Sequence, residues 1–165
     1  MKTLILIRHS KSSWESPLND IDRPLSVRGI ADAHLIFSKI NAILPKTFIV
    51  WSSVARRTKE SALLFSQNLD FLLENIQFKN ELYTFDETQL EHSVKNCENK
   101  YDNLILFGHN NAITNFVNKF GDFFLENVPT TGVVKLQFDT NNWEHLKKGT
   151  IVETIFPSHF KHESN

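Results

Sequence analysis

An α/β layer fold with a largely parallel sheet and an antiparallel edge is predicted by two observations. Strand-like and helix-like segments alternate along the chain, and three of the strand candidates are dense apolar runs. Such runs suit strands covered by helices on both faces, where alternating patterns would leave one face wet. The length of 165 residues fits one domain, expected over residues 1–156, followed by a polar tail at 157–165.

Lys2–Arg8 reads as the first strand, with Leu4, Ile5, Leu6 and Ile7 consecutive. Ser10–Pro24 is polar and holds two prolines, so it is a long loop. Loops of that length in compact domains are usually functional. Ser26 caps a helix running toward Ile43, which places Ala33, Ile36, Phe37, Ile40 and Leu44 on one face. Pro45 stops it. Thr47–Trp51 is a second buried strand, Ser52-Ser53 the turn after it, and Arg56–Asn68 a helix.

Leu69–Asn75 extends that helix or forms a loop, Ile76–Phe78 is a short strand, and Glu87–Asn99 is a polar helix. Asn103–Phe107 is a further dense strand, ended by Gly108-His109. Ile113, Phe116, Val117 and Phe120 follow helical spacing, and Gly121 closes that helix. Val133–Phe138 and Ile151–Phe156 are late strands around a turn region at Asn141-Asn142, and Pro157–Asn165 is expected to fray.

Composition excludes several classes. Hydrophobic residues at 41% and charged residues at 22% are ordinary globular usage, not that of a disordered chain or a coiled coil. A net charge of -1 gives no bulk field for nucleic acid or an anionic membrane, so neither is an expected partner. The only cysteine, Cys97, forms no internal disulfide and no thiolate zinc site, which fits a reducing cytoplasm. The apolar run Leu4–Ile7 is too short for a signal peptide, and no stretch approaches the roughly 20 residues a membrane helix needs.

In open α/β sheets, ligands bind beyond the carboxyl ends of the strands. Three strands here end in chemically capable residues: Arg8-His9, then Ser52-Ser53 with Arg56-Arg57, then Gly108-His109. Two histidines and at least two arginines thereby converge, whereas His34, His92, His145, His159 and His162 read as surface or structural. The set suits a phosphoryl group. A guanidinium matches phosphate oxygens bidentately and stays charged, and a neutral imidazole is nucleophilic near pH 7. A second histidine adds hydrogen bonds to the oxygens that gather charge in the transition state. No ligand spacing favours a metal and no glycine run forms a P-loop, so neither a metal nor an organic cofactor is expected.

Arg8-His9-Ser10 resembles the Arg-His-Gly signature of the histidine phosphatase superfamily, the phosphoglycerate-mutase-like proteins. The stretch from Arg8 to Glu15, with Asp20-Ile21-Asp22-Arg23-Pro24-Leu25 and Arg28-Gly29, is similar to the small SixA-type branch of phosphohistidine phosphatases. Ser52 to Ala62, Gly108-His109-Asn110 and Val128-Pro129-Thr130-Thr131-Gly132 resemble three further family segments. The resemblance implies a three-layer α/β/α sandwich without the insertions of larger relatives.

It also implies His9 as nucleophile, Arg8 as phosphate ligand and His109 as second histidine. Arg56 and Arg57 compete for the next phosphate position. Matching Ser61-Ala62 to the family's Thr-Ala selects Arg57. Arg23 is implied as a further substrate or phosphate contact, and Ser12 as a hydroxyl near the phosphate, or one that simply satisfies the loop backbone. Three departures stand out. Ser10 replaces a glycine and must avoid positive φ. Glu15 stands where mutase-like relatives carry an asparagine. Thr84 falls near the expected general acid, leaving Glu81, Asp86 and Glu87 as the nearby carboxylates. The implied activity is a metal-independent phosphatase working through phosphohistidine on His9 and releasing phosphate. Its expected substrate is protein phosphohistidine; the alternatives are a small-molecule phosphomonoester and a non-catalytic phospho-binding module.

Overall fold

Residues 1–161 are described by the computed structural model, in which six strands form one sheet. They are β1 (Lys2–Arg8), β2 (Ile49–Ser53), β3 (Ile76–Lys79), β4 (Asn103–Gly108), β5 (Val133–Phe138) and β6 (Thr150–Ile155). Their spatial order is β3-β2-β4-β1-β5-β6. The first four run parallel, and β5 and β6 form the antiparallel edge. The helices are α1 (Val27–Phe37), α2 (Arg56–Leu69), α3 (Glu87–Lys95), α4 (Ala112–Phe120) and a short α5 (Ser158–Lys161).

The continuous apolar runs have the expected cause. Leu4 and Leu6 of β1 join Leu104 and Leu106 of β4 in a core under α3 and α4. Ile5, Ile7, Ile105 and Phe107 face the opposite core, which contains Ala33, Phe37 and Phe65 of α1 and α2. Helices on both faces of one sheet make the three-layer α/β/α sandwich, and the runs Leu4–Ile7 and Leu104–Phe107 are unbroken because neither face meets water.

Several boundaries differ from the sequence reading. Ser52 and Ser53 are not a turn: they end β2, fully buried, with Ser52 paired to Phe107 and to Phe78. The first helix stops at Phe37, where the Ser38 hydroxyl donates to the Leu35 carbonyl at 2.7 Å and competes with the helical ladder. Ile40–Ile43 then forms a separate 3-10 turn that still buries Ile40. Helix α3 ends four residues early, where Asn96 N–H is shared among carbonyls of the last turn.

Pro157 does not begin a frayed tail. It is buried, α5 follows, and Phe160 packs against the α1/α2 core while Lys161 Nζ lies 3.0 Å from Asp32 Oδ1. The remainder of the expected tail, residues 162–165 with His162, lies outside the described residues.

The first turn of α1 is fitted against the start of the long loop. Ser26 Oγ accepts from Gly29 N–H, and Ser26 N–H donates to Lys11 O at 2.8 Å. A Cβ on Gly29 would lie 2.1 Å from Lys11 O, so only glycine lets the helix approach this closely. Alanine would gain about 1 kcal/mol of helix propensity there. The backbone overlap should outweigh it, and Gly29→Ala is expected to lower unfolding stability by roughly 1–3 kcal/mol. Urea denaturation checks this; an unchanged or raised midpoint would show that the Lys11 backbone retreats freely.

Candidate active site

The carboxyl ends of β1, β2 and β4 are neighbours in the sheet, so chain topology alone gathers Arg8-His9, Ser53 and Gly108-His109. Hydrogen bonds then fix the loop that follows β1. His9 N–H donates to Gly108 O at 3.1 Å, and Ser10 N–H donates to Ser61 Oγ of α2 at 2.9 Å. Thr131 N–H lies 3.1 Å from both the Arg8 and His9 carbonyls, and its hydroxyl donates to Ser10 Oγ at 2.8 Å. Thr131 sits at φ 61, a left-handed conformation that disfavours a β-branched residue and persists because these bonds over-determine it. Ser10 is fully buried and not left-handed, so its departure from glycine is accommodated.

His9 has a defined tautomer. A carbonyl can only accept, so Nδ1–H donates to Ser10 O at 2.7 Å and the lone pair falls on Nε2. Arg57 Nε lies 3.3 Å from that nitrogen. The same guanidinium donates from Nη2 to His109 Nδ1 at 3.4 Å, which leaves His109 Nε2–H to donate to Ser53 Oγ at 2.8 Å. The two imidazoles stand 5.3 Å apart, centroid to centroid.

Arg57 also donates to Asp20, from Nη1 to the main-chain oxygen at 2.7 Å and from Nη2 to Oδ2 at 3.0 Å. Asp20 Oδ1 accepts from Arg23 Nη2 at 3.0 Å, and Tyr83 O–H donates to Oδ2. Arg23 Nη1 donates to Ser12 Oγ, and its guanidinium lies 3.5 Å from the Trp14 ring centre. Arg8, His9, Ser12, Arg23 and Arg57 line a cleft of about 330 Å³, while His109 is buried against Arg57. A larger hollow of about 410 Å³ between β2, β3 and α3 is lined by Trp51, Lys79 and His92, but joins no histidine to an arginine.

All six candidate residues therefore meet around one cleft. Arg56 does not: its side chain is 52% exposed and pairs with Glu60, whereas that of Arg57 is 3% exposed. Neither Glu81, Asp86 nor Glu87 lines the cleft; Glu81 lies near Lys79 and Asp86 caps α3. The carboxylate that does reach it is Asp20, which sequence reasoning missed, together with Tyr83. Its one local signal is the spacing Asp20-x-x-Arg23, an i,i+3 ion pair. His34, His92, His145 and His159 are exposed and distant from the cleft lining.

The electrostatics follow from burial. Burial pushes His9 down to about 3, opposed by the Ser10 carbonyl and reinforced by Arg57, Arg8 and Arg23. Burial likewise lowers His109 to about 2, helped by His9 and Arg57. Burial raises the Asp20 carboxyl, but hydrogen bonds from Tyr83, Arg23 and Arg57 overcome it and hold the group below the usual carboxylate range. Two neutral imidazoles and three guanidinium groups against one carboxylate leave a positively charged hollow. Buried Nε–H donors of Arg8 and Arg23 have no protein partner among the described residues. An oxyanion would complete both.

The family model of the histidine phosphatase superfamily (branch 1) matches residues 4–101. An uncharacterized chloroplastic protein of Arabidopsis thaliana is 30% identical over 155 residues, covering 87% of this chain and 69% of the relative. The fold is similar to the protein histidine phosphatase SixA complexed with tungstate, with a TM-score of 0.81 at 16% identity over 96% of this chain and 99% of that one. It is also similar to the SixA protein of Agrobacterium tumefaciens, with a TM-score of 0.78 at 21% identity over 94% and 98%.

The histidine shifts make a testable statement about pH. An unfolded histidine protonates near 6.5, so on acidification the unfolded chain takes up protons before His9 and His109 do. Their contribution to stability is complete above about pH 7, and falls as pH drops through 6.5 toward 3. In ¹⁵N-histidine NMR, His9 and His109 are expected to keep neutral-tautomer shifts between about pH 8 and 5. A midpoint near 6.5 for either ring would refute the burial argument.

Proposed function

We propose that this chain, which belongs to the histidine phosphatase superfamily (branch 1), hydrolyses protein phosphohistidine through a covalent phosphohistidine on its own His9. Membership supports phosphatase activity in general. The observation that carries the finer reading is the unprotonated Nε2 of His9, which accepts from Arg57 Nε–H 3.3 Å away, a hydrogen bond that gives way when Nε2 attacks. The phosphoryl group settles among Arg8, Arg23 and Arg57. His9 Nε2 attacks phosphorus in line as the bond to the leaving group breaks, and charge on the equatorial oxygens meets the guanidinium donors. Water then attacks the phosphoryl group on His9, releasing inorganic phosphate and restoring the imidazole. The arginines supply the positive charge a metal would bring, so the reading includes no metal.

The substrate class rests on the leaving group. An alkyl monoester releases an alkoxide and needs a positioned acid. Phosphohistidine releases imidazole, which leaves readily once solvent protonates it. Asp20, the carboxylate at the cleft, is held as an ionised acceptor by three donors and is a poor acid. That favours the nitrogen leaving group. A reducing compartment such as the cytoplasm suits the single buried cysteine, Cys97.

Two measurements test this reading. In EDTA, His9→Ala should abolish turnover and an acid-labile, base-stable phosphoenzyme. Arg57→Ala should lower kcat by a factor on the order of 10² or more, while Arg56→Ala costs far less. Phosphoenzyme persisting without His9, the reverse arginine ranking, or activity restored only by a divalent cation would each reject the mechanism. For the substrate, kcat/KM on a phosphohistidine protein should exceed that on a simple alkyl phosphate. Equal or better use of the alkyl ester would make the chain a small-molecule phosphomonoesterase instead.

A further inference from the structure

We propose that Trp14 is a stacking platform for a flat, ring-bearing leaving group, and so sets a preference for phosphoryl groups carried on rings over those on alkyl chains. This rests on the phosphatase reading above and adds the residue that would select within it. Trp14 and Phe85 line the cleft that holds His9, and both are solvent-facing: Trp14 is 77% exposed and Phe85 53%. A large indole left in water on a polar loop forgoes burial that its position beside the reacting group would restore once a substrate is present.

The indole is also held in place. One face rests on the Arg23 guanidinium, 3.5 Å from its carbon to the ring centre. Arg23 itself is 6% exposed and fixed by Ser12 and Asp20, so the platform shares its anchor with the phosphate site. With that face covered, Trp14 is still 77% exposed and borders the cleft. Phe85 adds a second ring to the lining of the same cleft and is itself fixed by edge contacts to Tyr83 and His109, at 5.6 and 5.5 Å. A phosphoryl group among the arginines places its leaving group toward this mouth, where an imidazole or phenyl ring can stack and an alkyl chain cannot. Offset ring stacking adds to area burial enough for a several-fold preference.

The test compares phenyl phosphate with glycerol phosphate, each measured in wild type, Trp14→Ala and Trp14→Phe, so that the intrinsic reactivity of each ester cancels. The ratio of kcat/KM for phenyl over glycerol phosphate should fall about 3- to 10-fold in Trp14→Ala, mostly through KM, and recover in Trp14→Phe. The inhibition constant of inorganic phosphate should move much less than this ratio. An unchanged ratio overturns the proposal. So does a parallel loss on both esters accompanied by weaker phosphate inhibition, because Trp14 would then act only by bracing Arg23. Phosphohistidine is assayed alongside: failure of wild type to cleave it rejects the substrate class argued above, and the phenyl-to-glycerol ratio still decides the platform.

Discussion

The guanidinium of Arg57 is the interaction on which the site is organised. It rises from the first turn of α2, is 2% exposed, and donates to His9, His109 and both the main chain and side chain of Asp20. Two strand ends and the long loop thus converge on one planar, permanently charged group. A lysine could not do this, because an ammonium lacks the fixed fork that reaches two imidazoles and a carboxylate at once. Its position depends in turn on Ser61, one helical turn later, whose hydroxyl donates to Arg57 O and accepts from Ser10 N–H.

Burying this charge has a consequence for the histidines. An imidazole beside guanidinium groups and removed from water cannot hold a proton, so burial and charge act in the same direction on both rings. The result is a pair of neutral imidazoles in a positively charged hollow. A phosphate dianion reverses the balance on arrival, since it offsets the arginines and favours positive charge on the neighbouring rings. A hollow of this charge suits an anion. Asp20 keeps the free state tolerable, as the one carboxylate that the arginines meet in the cleft.

Legibility in the sequence followed interaction range. The strands of the core were readable because burial on both faces demands unbroken apolar runs, as in Leu4–Ile7 and Leu104–Phe107. His9 and His109 were readable because topology puts strand ends together. Arg57 was separable from Arg56 by matching Ser61-Ala62 to the family segment, and in the structure Ser61 ties Arg57 O to the loop that follows β1. Asp20 and Tyr83 were not legible. Their contact spans 63 residues and leaves no periodic trace. The early end of α1 was missed for a different reason, because Ser38 breaks the ladder without disturbing the apolar face that suggested a longer helix.

The long loop completes the argument, because its length suggested slack and its contacts show a wall. Ser12 bridges to Leu25 across the loop base, Ser13 N–H donates to Pro24 O, and Leu25 N–H donates to Glu60 of α2 at 2.8 Å. Between these ties, Asp20 is fixed to Arg57 and Tyr83, and Arg23 to Ser12. The loop is thus fastened across its own base, to α2 and, at its tip, to Arg57. Charge stabilisation of a transferring phosphoryl group depends on donors that need not reorganise when the charge develops. A 3-10 turn at Asp20–Asp22, stapled to buried arginines, meets that requirement without a long helix or strand to carry it. The geometry of the cleft is therefore held by hydrogen bonds across the chain rather than by the regular elements that frame it.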